Sequence, residues 1–256
     1  MIEALRRWRD RRTLARRPIP DALWVSTLAH FPFLAALGPA DAGKLRELST
    51  LFLDRKEFSG AQGLNVTDDM AVAIAAQACL PIMHLGLDWY DGFVGIVVHA
   101  GEVVARREVM DEDGVVHHYD EPLSGEAMEG GPVTLSWQDV ADAGDSAEWG
   151  YNVVIHEFAH VLDMRDGSAD GTPPLPSRAA QVEWQAVFAA HYDAFCERVE
   201  AEEDTLLDPY GAEAPSEFFA VACEAFFVAP LDLQTEHAEV YELLSQFFQQ
   251  DPASRT

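Results

Sequence analysis

The sequence predicts an α+β protein that is mostly helical and carries a small central mixed β-sheet. Apolar residues follow a helical period over residues 21–85 and again from Tyr151 onward, whereas short strand-type runs lie between these two regions. The 256 residues, 48% of them hydrophobic, are enough to bury one substantial core. We therefore expect one domain over residues 19–256, with a helical part at 19–85 and a second part at 86–256.

A basic arm at residues 1–18 differs from the rest of the chain in charge. The chain has 44 acidic and 17 basic residues and a net charge of −27. Residues 1–17 hold seven arginines against Glu3 and Asp10, so this stretch carries +5 and the remainder carries −32. Our first interpretation is an arm or helix that docks on its own acidic body. A membrane-surface helix, a partner-binding arm and an organellar transit peptide are the alternatives.

Charge and composition also exclude several classes of protein. A body this acidic is repelled by phosphate backbones, so we expect no direct nucleic-acid binding. No run of 18 apolar residues is present, and we therefore expect no membrane span. The N-terminal stretch lacks the apolar region of a signal peptide, and the three cysteines have no C-x-x-C spacing. These features favour a cytoplasmic protein with reduced thiols.

The first helical part divides at turn residues. Residues 44–53 carry leucines at a helical period, and Asp41 or Ala42 is placed to begin that helix. Thr67 and the two aspartates after it precede an alanine-rich run over 70–80, which predicts a capped, buried helix that ends before Pro81.

Strand-type runs follow at residues 95–99, 101–105 and 133–137, where β-branched residues recur. The stretch 111–131 is rich in Gly, Glu and Asp, which predicts loops or a hairpin. From Tyr151 the helical period returns. Helices on both sides of a few short strands complete the predicted α+β class.

The segment 151–163 contains an H-E-x-x-H motif. Residues four apart lie on one face of a helix, so His156 and His160 are able to direct both imidazoles at one ion. Glu157 lies one step around the helix, within reach of a water molecule on that ion. Two imidazoles and a carboxylate with one open position are typical of a catalytic zinc site, where Glu157 serves as general base. The alternative is a core helix whose histidines are hydrogen-bonded.

A third ligand has to come from outside the motif. Asp166 is ten residues after His156, where the metzincin pattern places its last ligand. That pattern has a glycine where this chain has Asp163, and a carboxylate there is better suited to orient a ligand histidine. The stronger candidates are Glu217 and Glu224, seven residues apart on one face of an apolar helix. One of them can bind zinc, and the other can orient a ligand histidine.

Several long motifs, in order along the chain, resemble the Mlc titration factor A family of bacterial zinc peptidases. The matching segments are residues 80–93, 131–137, 150–164 and 210–227. The likeness spans about residues 20–250 and leaves the arginine-rich arm outside it. The family is similar in fold to the catalytic domain of anthrax lethal factor, which implies a zincin-type (gluzincin) fold and a catalytic role for the second part of the chain.

On matching positions, the resemblance implies one Zn²⁺ per chain, held by His156, His160 and Glu217. It implies Glu157 as the general base. It also implies that the hydroxyl of Tyr210 stabilises the oxyanion or assists the leaving amine. A phenol near the zinc is, independently of the family, a suitable donor where negative charge develops.

Two further expectations concern the surroundings of the zinc. Glu224 and Asp163 are expected to contact the ligand side chains on the side away from the zinc and so to fix their orientation. Val133, Thr134 and Leu135, upstream of the zinc helix, resemble the edge strand along which such peptidases bind an extended peptide. The alternative for these three residues is an ordinary core strand.

The resemblance implies a cytoplasmic zinc metallopeptidase with mainly aminopeptidase-like activity on small peptide substrates. It also implies a link to the regulation of sugar uptake, because a family member binds the glucose-responsive repressor Mlc and draws it off its promoter. An Mlc-like transcriptional repressor is therefore an expected partner besides the peptide substrate. The alternative is a non-catalytic binding protein that sequesters a transcription regulator and keeps a vestigial zinc site.

Overall fold

The computed structural model describes residues 2–101, 103–110, 116–146 and 150–255. Its helices are α1 (Ile2–Arg16), α2 (Asp21–His30), α3 (Pro32–Ala35), α4 (Pro39–Arg55), α5 (Asp68–Cys79), α6 (Trp137–Ser146), α7 (Val153–Asp163), α8 (Arg178–Glu200), α9 (Pro215–Val228), α10 (Pro230–Glu236) and α11 (Ala238–Phe248). Its strands are β1 (Glu57–Gly60), β2 (Gly95–His99), β3 (Val103–Met110), β4 (Val116–Leu123), β5 (Gly125–Ala127) and β6 (Val133–Ser136). The predicted α+β class is confirmed. Within the described residues, no helix has the length and apolarity needed to cross a bilayer.

The main sheet contains β1, β2, β6 and β5 in that order. The first three strands are parallel, and β5 pairs antiparallel with β6, so the sheet is mixed. A separate antiparallel hairpin, β3 with β4, is inserted between β2 and β5. The predicted strands at 95–99 and 133–137 are thus β2 and β6, whereas the one at 101–105 belongs to the hairpin. The stretch 111–131 contains β4 and β5, and its residues 111–115 lie outside the described part.

The edge-strand expectation for Val133, Thr134 and Leu135 is wrong. β6 lies between β2 and β5, and these three residues pair with both neighbouring strands. Val133 and Leu135 are buried, and a short apolar run does not by itself distinguish an edge strand from a central one. The core-strand alternative is the observed arrangement, and β5 is the terminal strand on that side of the described sheet.

Three helices form the centre of the core. α9 is buried along nearly its whole length because apolar residues occupy all of its faces. α7 packs against α9 and α5. α5 is capped by Thr67, whose hydroxyl accepts a hydrogen bond from Met70 N at 3.3 Å, as predicted. The helices that carry the candidate residues are therefore held in the least exposed part of the molecule.

The basic N-terminal segment is the helix α1, which lies against α4. Arg6 pairs with Asp88, with Nη1 2.8 Å from Oδ2, and Asp10 pairs with Arg55 at 2.7 Å. These contacts confirm the interpretation that the segment docks on the acidic body. Exposed ion pairs of this kind contribute about 0–1 kcal/mol each, so they orient the helix more than they stabilise the fold.

Candidate metal centre

The two histidines of the H-E-x-x-H motif lie on one face of α7. The helix begins after Asn152, whose side-chain oxygen accepts a hydrogen bond from Ile155 N at 2.9 Å, and its first seven residues are buried. The spacing of four residues brings the ring centroids of His156 and His160 to 4.9 Å. The structure therefore brings the two imidazoles together, as the spacing predicts.

Glu217 of α9 reaches the same point. Its Oε2 lies 3.1 Å from His156 Nε2 and 3.2 Å from His160 Nε2, and the two Nε2 atoms are 3.2 Å apart. A tetrahedral zinc ion with bonds of about 2.0–2.1 Å separates its ligand atoms by roughly 3.4 Å. The observed triangle has nearly that size, and its two imidazoles and one carboxylate are donors that zinc prefers. The donor set thus fits a zinc ion with an open fourth position.

The charges of these groups suit a cation at the centre of the triangle. Burial favours a higher pKa for Glu217, but the contacts with His156 and His160 outweigh it and lower the pKa to about 2. Burial favours a lower pKa for His156, but the carboxylates of Glu224 and Glu217 outweigh it and raise the pKa well above its ordinary value. The cluster therefore stabilises positive charge.

Glu224 lies behind His156, on the side away from the triangle. Its Oε1 is 2.7 Å from His156 Nδ1, and the main-chain N–H of Asn152 donates to its Oε2. The Asn152 side-chain amide donates in turn to Gln77 Oε1 at 2.7 Å. A proton held on Nδ1 by Glu224 leaves Nε2 of His156 with its lone pair directed at the centre of the triangle. The contact expected between Glu224 and a histidine is present.

Glu157 lies beside the triangle and is almost fully buried. The residue is 5% exposed, and its Oε2 has no hydrogen-bond partner among the described residues. Burial raises the pKa of Glu157 to about 7, although His156 and His160 offset part of the effect. A buried carboxylate oxygen with no partner and a pKa near neutrality is suited to accept a proton from a water molecule. This orphaned oxygen is a second observation that fits a metal with its water.

Two aspartates follow near the end of α7, and the hydrogen bonds of both go to the loop after the helix. Asp163 Oδ2 accepts a hydrogen bond from Gly171 N at 2.8 Å, and its Oδ1 has no partner within the described part of the chain. It therefore anchors the following loop, which turns back at Gly171 with a φ of +77°, and it does not bond a ligand histidine. Asp166 Oδ1 accepts from Ser168 N at 3.2 Å on an exposed turn. Asp166 is not brought to the donor triangle.

Tyr210 stands at the mouth of the site, on the short 3-10 turn before α9. Asp208 Oδ1 accepts a hydrogen bond from Tyr210 N at 2.9 Å and holds the turn. The ring centroid of Tyr210 is 6.1 Å from that of His156, and the residue is 39% exposed. Together with Glu157 and Gly125, Tyr210 lines a cavity of about 200 Å³.

Three residues of this site were not singled out by sequence reasoning. Asn152 carried a usable signal, because an asparagine directly before an apolar helix is a typical N-cap. Gln77 is a polar residue inside a buried, alanine-rich helix, and such a residue requires a partner. Gly125, whose Cα lies against the Glu157 side chain, carried no signal, since it is one of 17 glycines.

Residues 5–249 match the model of a protein family described as glucose-regulated metallo-peptidase M90. The chain belongs to this family. An uncharacterized protein of Synechocystis sp. is 36% identical over 249 residues, which cover 96% of this chain and 89% of the relative. Mlc titration factor A of Pectobacterium atrosepticum is 36% identical over 240 residues, covering 90% of this chain and 89% of the relative. Mlc titration factor A of Klebsiella pneumoniae is 35% identical over 235 residues, covering 91% and 87%.

Membership of the M90 family confirms the resemblance to Mlc titration factor A. It identifies a metallopeptidase-like protein, and the family implies a bound metal ion, typically zinc. The match begins at residue 5, so it includes most of the basic segment that we expected to lie outside the resemblance. The docking of α1 on α4 explains this difference, because the helix is part of the same packed unit.

Proposed function

We propose that this M90 member is a zinc-dependent peptidase that hydrolyses peptide bonds, including the aminopeptidase-like reaction on small substrates. The observation that carries the proposal is a donor triangle of zinc size beside the buried Oε2 of Glu157, which has no hydrogen-bond partner in the described part of the chain. His156, His160 and Glu217 would hold one zinc ion per chain. A cytoplasmic location agrees with the three cysteines, all of which are free thiols.

Glu157 and Tyr210 have different roles in the proposed reaction. A zinc ion bound here supplies a Lewis acid that polarises the substrate carbonyl and makes water more acidic. Glu157 accepts the proton of the attacking water at Oε2 and then donates it to the leaving amine. Its buried position beside the donor triangle suits Glu157 for both transfers. Tyr210, at the mouth of the site, donates its hydroxyl to the carbonyl oxygen as negative charge develops there.

The substrate peptide is proposed to bind along β5. A Cβ on Gly125 would lie only 2.5 Å from Glu157 Oε1, so one face of β5 packs directly against the side chain of the proposed base. The edge of β5 that faces away from β6 has no partner strand among the described residues. The main-chain groups of Gly125–Ala127 offer pairing that does not depend on the side chains of the peptide. β6, with Val133–Leu135, supports β5 from the opposite side.

Removal of the metal tests the proposed peptidase function. Chelation should abolish hydrolysis of internally quenched peptides and of aminoacyl chromogenic substrates, and one equivalent of Zn²⁺ should restore it. Zinc should also raise the melting temperature, because it binds only the folded chain at this site. Metal content is measured by mass spectrometry, with one zinc per chain expected. Hydrolysis that continues in the metal-free protein would contradict the proposal.

Gly125→Ala tests the close contact between β5 and the base. The added methyl group should displace the Glu157 carboxylate, and a misplacement of about 1 Å is enough to lower kcat by about a hundredfold. Gly43→Ala is the matched control, since a Cβ there meets nothing within 4 Å and Gly43 lies in α4, outside the cavity beside Glu157. Steady-state kinetics of the two variants at equal zinc content decide the point, and equal kcat values would argue against this role of Gly125.

Binding of an Mlc-like transcriptional repressor is a second part of the proposed function, linked to the regulation of sugar uptake. It is supported by the name Mlc titration factor A, which is carried by relatives that the match covers over 89% and 87% of their length. The alternative function, sequestration by a protein with a vestigial site, is less well supported, because the zinc-sized triangle and the proposed base are both intact.

A titration separates regulator binding from catalysis. A purified Mlc-type repressor carrying a fluorescent label should bind the wild-type chain and the Glu157→Ala variant with the same affinity, because the proposed base is buried. Fluorescence anisotropy measures both affinities. If neither chain changes the anisotropy at micromolar concentration, the repressor is not a partner of this protein.

A further inference from the structure

A second cavity, of about 620 Å³, lies between three parts of the chain: the segment before β2, the turn after β5 and the C-terminal end of α7. Its lining is mixed. Trp89, Met128, Val161 and Met164 are among its apolar residues, and Asp91, Glu129 and Arg165 are its charged ones. This cavity is separate from the one lined by Tyr210 and Glu157.

The cavity lies along the same two elements as the proposed base. Val161 follows Glu157 by four residues, so it lies one helical turn, about 5.4 Å, further along the same face of α7. On the other side of the cavity, Met128 follows directly after β5 and is three residues beyond Gly125, which corresponds to about 10 Å of extended chain. Both α7 and β5 therefore run from the Glu157 carboxylate towards this cavity.

The lining of the cavity suits a large apolar group. Met128 is 48% exposed and Met164 is partly exposed, and thioether side chains adapt to aromatic and long aliphatic partners. Arg165 does not project freely into the space. Its guanidinium lies 5.0 Å from the centroid of the Trp89 ring, and its Nη1 donates to Asp88 O at 2.7 Å. The cation is thus held at the wall. Asp91 and Glu129 are exposed residues, and the Asp91 carboxylate lies 3.8 Å from the Arg6 guanidinium. The two methionines are therefore placed to contact an incoming side chain.

We infer that this cavity is a side-chain subsite, and that the preferred substrates are oligopeptides with a bulky apolar residue about two or three positions from the scissile bond. The inference rests on the proposed function, in which the peptide lies along β5. Antiparallel pairing, the commoner arrangement, places this residue on the amino side of the scissile bond. Such a peptide extends further than a single aminoacyl group, so longer substrates should be bound more tightly than aminoacyl ones.

Peptide binding to a non-hydrolysing form tests the subsite. The zinc-loaded Glu157→Gln variant is titrated with fluorescent hexapeptides in which one phenylalanine replaces glycine at each position in turn. At one position, the phenylalanine peptide should bind about tenfold more tightly than the all-glycine peptide. Adding Met128→Glu should reduce this difference to about twofold, because a carboxylate at the wall opposes an apolar side chain. Leu231→Glu, at a residue that is 50% exposed and outside both cavities, should leave the difference unchanged.

The outcomes distinguish the subsite from the proposed function. Equal binding of all peptides, an absence of binding, or a preference that Met128→Glu leaves intact would overturn the subsite. Hydrolysis of the same peptides by the zinc-loaded wild-type protein is measured separately. A positional preference in binding without any hydrolysis would overturn the peptidase function and leave the subsite standing. Because Met128 is half exposed, melting temperatures within a few degrees of each other are the check that all variants are folded.

Discussion

Glu157→Gln should lower kcat for peptide hydrolysis by about a thousandfold, while the protein keeps one zinc per chain. The amide has nearly the same shape as the carboxylate but cannot accept the proton of the attacking water, and general base catalysis contributes about 10²–10⁴-fold to rates. Because Oε2 of Glu157 has no partner among the described residues, no other contact of that oxygen is lost. Steady-state kinetics and metal analysis on the same preparation measure the effect.

The stability of this variant provides the control. A buried carboxylate without a partner is costly to the folded state, so the neutral amide should leave the free energy of unfolding unchanged or raise it. Urea unfolding of the metal-free wild type and variant compares the two. A variant that loses activity because it unfolds would show the opposite change in stability. Turnover within a few-fold of wild type would eliminate Glu157 as the base.

Glu217→Ala should weaken zinc binding by more than about a hundredfold. Loss of a group that only orients a ligand costs about 10–100-fold in metal affinity, and loss of a ligand itself should cost more. The remaining pair, His156 and His160, offers two neutral donors and no negative charge to a divalent ion. Competition with a fluorescent chelator measures the zinc affinity, and hydrolysis should fall in proportion to the zinc that is lost.

Asp166→Ala is the matched control for Glu217→Ala, because Asp166 was the alternative third ligand. Its carboxylate is bonded to Ser168 N on an exposed turn, so this variant should bind zinc as the wild type does. The reverse result, with zinc retained in Glu217→Ala and lost in Asp166→Ala, would assign the third ligand to the turn after α7.

The parts of the site that could be predicted are those in which local geometry dictates the arrangement. His156 and His160 converge because a helix converts a spacing of four residues into one face. Glu217 is 61 residues beyond His156, and no local rule connects them. It became a candidate because a carboxylate on so apolar a helix requires a compensating partner, and because its motif resembles that of a known family.

The predictions that failed concern contacts between segments that are distant in sequence. Val133–Leu135 has the composition of a strand, but whether a strand lies at an edge depends on the strands on either side of it. Asp163 has the position of a residue that supports a ligand, yet the returning loop brings Gly171 N to its carboxylate first. The close approach of Gly125 to Glu157 joins β5 to α7, and a single sequence contains no trace of that approach.

Hydrogen bonds link Gln77 to Asn152, Asn152 to Glu224 and Glu224 to His156. The site therefore forms only when these segments have come together in the folded chain. Three helices contribute residues to this chain of hydrogen bonds. Its members are far apart in sequence: His156 and Glu224 are separated by 68 residues, and Gln77 and Asn152 by 75. A chain emerging from the ribosome therefore has no metal site until residue 224 has been synthesised and all three helices have met. Binding of the proposed zinc ion would then occur only once assembly is complete. An ion that binds only the assembled state would oppose separation of any one of these helices, so its binding energy would stabilise the whole core.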